Sequence, residues 1–472
     1  MKILLTGATG YIGQRLLPVL LAEGHEIVCC VRDKARFHVK KFPSAKLQVI
    51  EMDFLDNRTL SQIPEDIDAA YFLVHSMASI HDDFENLERT TANNFASAIE
   101  KTKAKQVIYL SGIVNEKSLS KHLRSRKNVE EILAQGPFHL TTLRAGIIIG
   151  SGSSSFEIMR DLVEKLPIMI APKWLATKSQ PIAIDNVIEL LKGVLWNEKT
   201  YDRSFDIGGP DILTYKEMLL RFARIRNLKR TIITVPVMSP RVSSYWLYFV
   251  TATSFSLAKN LVDSMKVEVI CRDNELQDTL GAKLISYDDA IRLAFDKIEH
   301  REVVSSWTDA LTSHVLDRGI SKLIEVPVHG CYVEKREVEV DDVEATLNRI
   351  WAVGGKNGWY YANWLWESRG FIDKVFGGVG LRRGRKSTTE ITPGDAIDFW
   401  RVLVASREEK RLLLYAEMKL PGEAWLEFTI TNNTLCQTAT FRPLGLSGRL
   451  YWYSMMPFHA FIFKGMVNNI AL

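Results

Sequence analysis

Three glycines near the start of the chain, Gly7, Gly10 and Gly13, stand in the stretch KILLTGATGYIG at the spacing G-x-x-G-x-x-G. Glycines so spaced let a diphosphate meet backbone N–H groups. Gly7 permits a tight turn, Gly10 lets the anion approach the backbone, and Gly13 lets a helix pack close to a strand. Farther along, His122 and Arg126 stand four residues apart, which puts them on one face of a helix. An imidazole titrates near neutral pH and can pass a proton to a substrate oxygen. A guanidinium keeps its charge and can only hold a partner. The two places thus offer anion binding and proton transfer.

The elements that must position these residues are legible in the pattern. Ile3, Leu4 and Leu5 make one short buried strand. Ile12, Leu16, Leu17 and Leu20 recur at helical spacing. A strand, a glycine turn and a helix bring N–H groups and the positive end of a helix dipole to one point. Thr9, Tyr11 and Ile12 lie in the same loop and are candidate contacts with the glycines. Apolar runs over 25–31, 47–52, 69–74, 106–110 and 139–149 alternate with helical stretches such as 85–102 and 120–134. That alternation predicts an α/β domain with a doubly wound parallel Rossmann sheet, whose ligand sits at the carboxyl ends of the strands. Gly7, Arg32, Asp53, Val74, His75 and Ser111 fall at such ends. At the tip of the second strand, Arg32 and Arg36 suit the 2′-phosphate of NADP, while Asp33 between them keeps NAD open.

The motif TGATGYIG resembles the short-chain dehydrogenase/reductase superfamily, in its extended and atypical, NmrA-like branches. The resemblance implies that Asp53 meets the adenine amine and that Phe54 packs beside the ring. It also implies that Ser111, just after the fifth strand, orients a substrate oxygen. Where hydride-transferring members carry Tyr-x-x-x-Lys, this chain has His122-Leu123-Arg124-Ser125-Arg126. His122 then serves as the acid/base and Arg126 as the holder of the ribose hydroxyls. On the other reading His122 is a surface helix residue and the reductase chemistry is gone. A second match, Tyr415 and Lys419, lies in a strand-like segment that would set the pair about 13 Å apart, and it is assigned no catalytic role. The segments 150–155, 180–187, 205–210 and 213–225 resemble the small substrate lobe of the extended branch.

The chain has 472 residues, enough for more than one domain. Its net charge of +4 argues against a nucleic-acid surface spread over the whole protein. Five cysteines with no C-x-x-C read as reduced thiols in a cytoplasmic protein. Residues 242–258 carry no charge but are short and rich in Ser and Thr, so they suit a buried helix better than a membrane span. Together with 450–463 they leave a peripheral membrane contact open. Residues 1–300 are read as the NAD(P)-binding domain with its lobe, 301–321 as a linker with a docking helix over 306–316, and 322–472 as a second domain.

In that second domain a strand over 331–340, a helix capped by Asp341, a helix around 363–375, strands over 396–406, 411–420, 424–431 and 435–442, and a long closing helix over 446–470 kinked at Pro457 describe an α+β helix-grip fold. The phrases GGKNGWYYANWLWESRGFID and LYWYSMMPFHAFIFKGM resemble a bacterial domain of unknown function, DUF2867-like, of the Bet v 1/START-like group. Its tryptophans read either as a packed core or as walls of a cavity for an apolar ligand. Arg382, Arg383, Arg385 and Lys386 read as a solvated loop or an anion contact. The expectation is an NADPH-dependent oxidoreductase of an apolar carbonyl or quinone-like substrate. Its rival is a non-catalytic NAD(P) sensor or a carrier of hydrophobic ligands.

Overall fold

The computed structural model describes residues 1–32, 34, 37, 42–74, 84–114, 121–235, 265–299, 326, 331–355, 357–381 and 390–472, with backbone alone at 84, 121, 122, 161, 165, 173, 297–299 and 445. They form two compact units, one holding the described residues up to 299 and the other those from 326 on. Residues 242–258, the linker 301–321 and the basic group 382–386 lie outside the described residues.

The first unit begins with β1 (Lys2–Leu5), α1 (Gly13–Ala22), β2 (Glu26–Val31), β3 (Leu47–Glu51), β4 (Ala69–Phe72), α2 (Phe84–Ile99), β5 (Gln106–Gly112), α3 (Lys121–Leu133) and β6 (His139–Ala145). Strands such as EIVCCV are apolar almost throughout because helices cover both faces of a parallel sheet. Leu16, Leu17 and Leu20 of α1 pack on one face, Phe95 of α2 and Leu133 of α3 on the other. With β11 (Arg203–Ile207) added, the seven strands run parallel in the order β11-β6-β5-β4-β1-β2-β3. The order reverses between β1 and β4, and ligands of such sheets bind at that point.

The run 139–149, expected as one strand, breaks after Ala145. Gly146 lies against the Val269 side chain, and the chain leaves the sheet to form β7 (Ile148–Ile149). The lobe follows, made of α4 (Ser154–Lys165), β8 (Ile168–Pro172), β9 (Lys178–Ser179), β12 (Leu213–Thr214), α6 (Tyr215–Ile225), β13 (Thr231–Val235) and α8 (Tyr287–Glu299), while β10 (Ile182–Ala183), α5 (Ile184–Gly193) and α7 (Glu275–Leu280) lead back to the large sheet, where Val187, Leu191 and Leu276 pack with Leu16 and Leu17 of α1. The segments 180–187 and 205–210, expected in the lobe, thus mostly serve the large sheet, because their apolar residues pack under it and 203–207 pair with β6. Its core is a ring trio, Phe156, Phe222 and Phe295, with centroids 5.2–5.6 Å apart. Thr214 and Glu217 close a reciprocal cap that starts α6.

The second unit holds β14 (Tyr332–Glu339), α9 (Val343–Ile350), α10 (Asn363–Val375), β15 (Ala396–Ile397), β16 (Trp400–Ser406), β17 (Arg411–Ala416), β18 (Gly422–Thr431), β19 (Thr434–Pro443) and α11 (Gly445–Ala471). Its sheet is antiparallel in the order β14-β19-β18-β17-β16-β15. The cap of α9 is Asp342, not Asp341: its carboxylate accepts the N–H groups of Glu344 and Ala345, both at 2.9 Å. The strand expected over 396–406 is split by Asp398, whose φ of +52° turns the chain so that its carboxylate takes the indole N–H of Trp359 at 2.8 Å. The strand expected over 411–420 ends at Ala416. Helix α11 runs through Pro457 without a break. One side of α11 buries Trp452, Phe463, Met466 and Ile470, while Leu450, Tyr453, Met456, Phe458 and Phe461 are exposed. Among the described residues no helix is long and apolar enough to cross a membrane.

Candidate cofactor and active site

The turn after β1 is built so that side chains would not fit. Gly7 has φ +67°, and a Cβ there would stand 2.6 Å from the Leu73 carbonyl oxygen, on the loop after β4. A Cβ on Gly13 would stand 2.3 Å from the Gly7 carbonyl oxygen. The turn closes by Gly10 N–H donating to Gly7 O at 2.8 Å. No acidic residue occupies the first turn of α1, so nothing there competes with an anion for the dipole. This cradle fits a diphosphate, with Gly7, Thr9, Gly10, Tyr11, Ile12 and Gly13 around it.

Two neighbours hold the cradle, and neither was singled out from the sequence. The Thr6 hydroxyl donates to Tyr71 O at 2.9 Å and accepts from Leu73 N–H at 3.0 Å, which stitches together the loops after β1 and β4. Arg15 donates to Ser151 O at 2.8 Å, and its guanidinium lies 4.2 Å over the Tyr11 ring. Through them the glycine loop is tied to the loop that opens α4. Burial raises the Tyr11 phenol well above its ordinary range against the pull of Arg15, so this hydroxyl stays protonated.

Other expected contacts fall where parallel strands end. Arg32 is exposed just past β2. Asp53 follows β3, and one of its carboxylate oxygens accepts Leu55 N–H at 2.9 Å. Val74 is half-buried beyond β4. Phe54 is buried edge-on against Phe95, centroids 5.6 Å apart, so its ring is used in the core under the sheet. Arg36 and His75 lie outside the described residues.

At the end of β5 the structure brings Ser111 and Arg126 together. Ser111 is buried at the carboxyl end of the strand, opposite Arg144 of β6. Arg126 reaches from α3 and donates to Leu110 O at 3.1 Å and to the Tyr109 hydroxyl at 3.3 Å. Burial raises the Tyr109 phenol, while the neighbouring Arg126 opposes the rise. The Ser111 hydroxyl is buried and has no hydrogen-bond partner among the described residues. Behind them the buried Glu88 carboxylate of α2 accepts the Ser125 hydroxyl of α3. Spacing alone did not reveal Tyr109 or Glu88, because they reach the site only through the packing of α2 and α3 on β5. His122 stands in the first turn of α3, one turn before Arg126. Tyr415 is buried in β17 of the second unit, and Lys419 lies beyond that strand.

Comparison with known proteins agrees with this geometry. Residues 7–162 match the NAD(P)H-binding family, and residues 330–466 match the protein of unknown function DUF2867. The 40 kDa subunit of mitochondrial NADH-ubiquinone oxidoreductase from Neurospora crassa is 22% identical over 236 residues, 49% of this chain and 61% of that protein. Pinoresinol reductase 1 from Arabidopsis thaliana is 30% identical over 86 residues, 17% of this chain and 26% of that one. The chain therefore spans less than two thirds of the length of either relative. Among solved structures, the NADPH-dependent quinone oxidoreductase of Escherichia coli with NADPH gives a TM-score of 0.51 at 16% identity, over 62% of this chain and 99% of that one. A nucleoside-diphosphate-sugar epimerase from Staphylococcus aureus gives 0.50 at 15%, over 62% and 100%. These likenesses show the fold. The chain thus carries an NAD(P)-binding Rossmann domain with the fold of reductases and epimerases, followed by a C-terminal DUF2867 domain.

Proposed function

We propose that this protein is an NADPH-dependent reductase of an apolar carbonyl or quinone-like substrate. The observation that carries the reading is the convergence of Ser111 and Arg126 at the end of β5, in the same sheet whose β1–β4 switch point bears the glycine cradle. Bound NADPH supplies a hydride to a carbonyl carbon. The chain must then place the carbonyl oxygen and deliver a proton to it. Ser111 is assigned the first task and His122 the second. Arg126, beside Ser111, fixes the end of β5 and turns its remaining N–H groups to the ribose hydroxyls. Arg32 and Arg36 account for a preference for NADP over NAD. The curated relatives support the reduction chemistry by name, one a reductase and the other a subunit of an NADH-ubiquinone oxidoreductase. The second domain, read as a Bet v 1-like helix-grip, holds an apolar ligand.

A second reading is favoured by Arg126 being tied to Leu110 and Tyr109 where the superfamily carries a lysine. It is a protein that binds NAD(P) and reports the cofactor ratio without turnover. The test is NADPH oxidation against menadione and a panel of aromatic ketones. Turnover that falls at least tenfold in Ser111→Ala and His122→Ala supports the reductase. Tight NADPH binding with no oxidation by any of the panel leaves the sensor.

A further inference from the structure

The inner face of the second unit's sheet is apolar except at one edge. Leu435 and Ala439 of β19 and Val338 of β14 contribute to its core. By strand alternation Glu334 and Arg336 share the face of Val338, and Gln437, paired with Arg336, shares the face of Leu435. His459 on α11 comes one turn before Phe463 and packs against it, ring centroids 5.0 Å apart, with Trp452 on its other side at 5.4 Å. Four polar side chains therefore enter one space between the sheet edge and the helix.

Each has a buried atom with no hydrogen-bond partner among the described residues: Glu334 Oε2, Arg336 Nε, Gln437 Oε1 and His459 Nδ1. Gln437 is 2% exposed. Orphaned polar atoms in a folded core are rare and costly, and four on facing elements form a set of contacts waiting to be used. We propose that this quartet is the head-group site for a neutral ligand with an apolar body, whose head bears a hydroxyl and a carbonyl oxygen. This deepens, and rests on, the reading of the second domain as a ligand holder, and it stands whether or not the first domain turns over a substrate.

The inventory selects the head. Glu334 Oε2 and Gln437 Oε1 are acceptors and call for a donor, which a hydroxyl supplies. Arg336 Nε is a donor and calls for a carbonyl. His459 Nδ1 matches either, according to its tautomer. Charge excludes the alternatives. Arg336 and Glu334 neutralise one another through an ion pair of 2.6 Å, and burial holds His459 toward its neutral form. A carboxylate or ammonium head would add an unpaired charge to this space. Trp452 and Phe463, flanking His459, give the adjoining body flat apolar walls.

Calorimetric titration of the full chain with three probes of one body tests this. They are 6-hydroxy-2-acetonaphthone, 2-acetonaphthone lacking the hydroxyl, and anionic 6-hydroxy-2-naphthoate. The hydroxyketone should bind about tenfold tighter than either other probe, the usual effect of one satisfied buried hydrogen bond. Gln437→Leu should abolish the preference over 2-acetonaphthone while keeping that over the naphthoate. Glu334→Gln leaves Arg336 uncompensated and should reverse it in favour of the naphthoate, which loss of structure alone would not do. If Glu334→Gln does not fold, Gln437→Leu decides. Equal affinity for all three probes overturns the head-group site while leaving an apolar ligand holder. No binding of any probe overturns both. A preference that survives both substitutions places the binding elsewhere and overturns the assignment.

Discussion

Gly13 sits so close to Gly7 that a Cβ on the first would stand 2.3 Å from the carbonyl oxygen of the second. That oxygen is backbone and already accepts the Gly10 N–H, so it cannot swing aside as a flexible side chain would. Gly13→Ala must open the turn and move the N–H groups that would meet a diphosphate. NADPH affinity should fall at least tenfold in a calorimetric titration, while the unfolding transition of the second unit stays put. An unchanged Kd would separate this loop from cofactor binding.

Arg32 is exposed at the tip of β2, where the fold brings the adenosine ribose. Arg32→Ala should weaken NADPH about tenfold and leave NADH nearly unchanged, read as the ratio of the two dissociation constants. Equal loss for both cofactors would mean that the arginine does not see the 2′-phosphate.

The sheet, its order of strands and helices, and the glycine turn were legible because each is a local pattern. Continuous apolar runs mark strands buried on both faces, and three glycines mark one tight turn. Thr6 and Arg15 were not, since they act on Tyr71, Leu73 and Ser151, residues brought close only by the sheet. The breaks at Gly146 and Asp398 were missed for a related reason. Apolar content continues across both, and what turns the chain is contact with Val269 in one case and with Trp359 in the other. Pro457 lies inside α11, which stays helical on both sides of it.

Arg126 joins two points of β5, Leu110 O at 3.1 Å and the Tyr109 hydroxyl at 3.3 Å. Both bonds come from Nη1, which leaves Nε and Nη2 to face a ribose, whereas a lysine has a single ammonium for all three tasks. Arg126→Lys should lower kcat several-fold and Arg126→Ala at least tenfold, each with a higher KM for NADPH and an unchanged circular dichroism spectrum. Wild-type kinetics in Arg126→Ala would remove the residue from the site.

Arg401 and Glu417 form an ion pair whose two side chains are fully buried, with Nε and Nη2 donating at 2.9 and 3.1 Å. The guanidinium also donates to Gly394 O at 2.7 Å, so it is fixed in place. Glu417→Gln removes the carboxylate charge facing Arg401 and should destabilise the second unit by about 3–5 kcal/mol. Replacing both residues by leucine and methionine should recover much of the loss. Urea unfolding followed on the second unit checks this, and a loss below about 1 kcal/mol would mean that the pair is solvated in solution.

His459 links the second unit's stability to pH. Burial lowers its imidazole below the ordinary value of 6.5, with Glu334 pulling weakly upward. The unfolded chain therefore binds the proton first as pH falls. Stability from this group is complete above about pH 6.5 and drops below it, ceasing to drop once the folded imidazole also protonates. The slope in that window approaches about 1.4 kcal/mol per pH unit for one site. His25 shifts in the same direction but belongs to the first unit, so the readout must be the second unit's own transition. His459→Gln should flatten the acid limb between pH 6.5 and the folded value while leaving the curve above pH 7 parallel to that of the wild type. Filling the quartet with a neutral hydroxyketone should carry the same limb to lower pH, because a bound ligand further penalises the charged imidazole. An acid limb identical in wild type and His459→Gln would show that the imidazole is open to water in the folded protein.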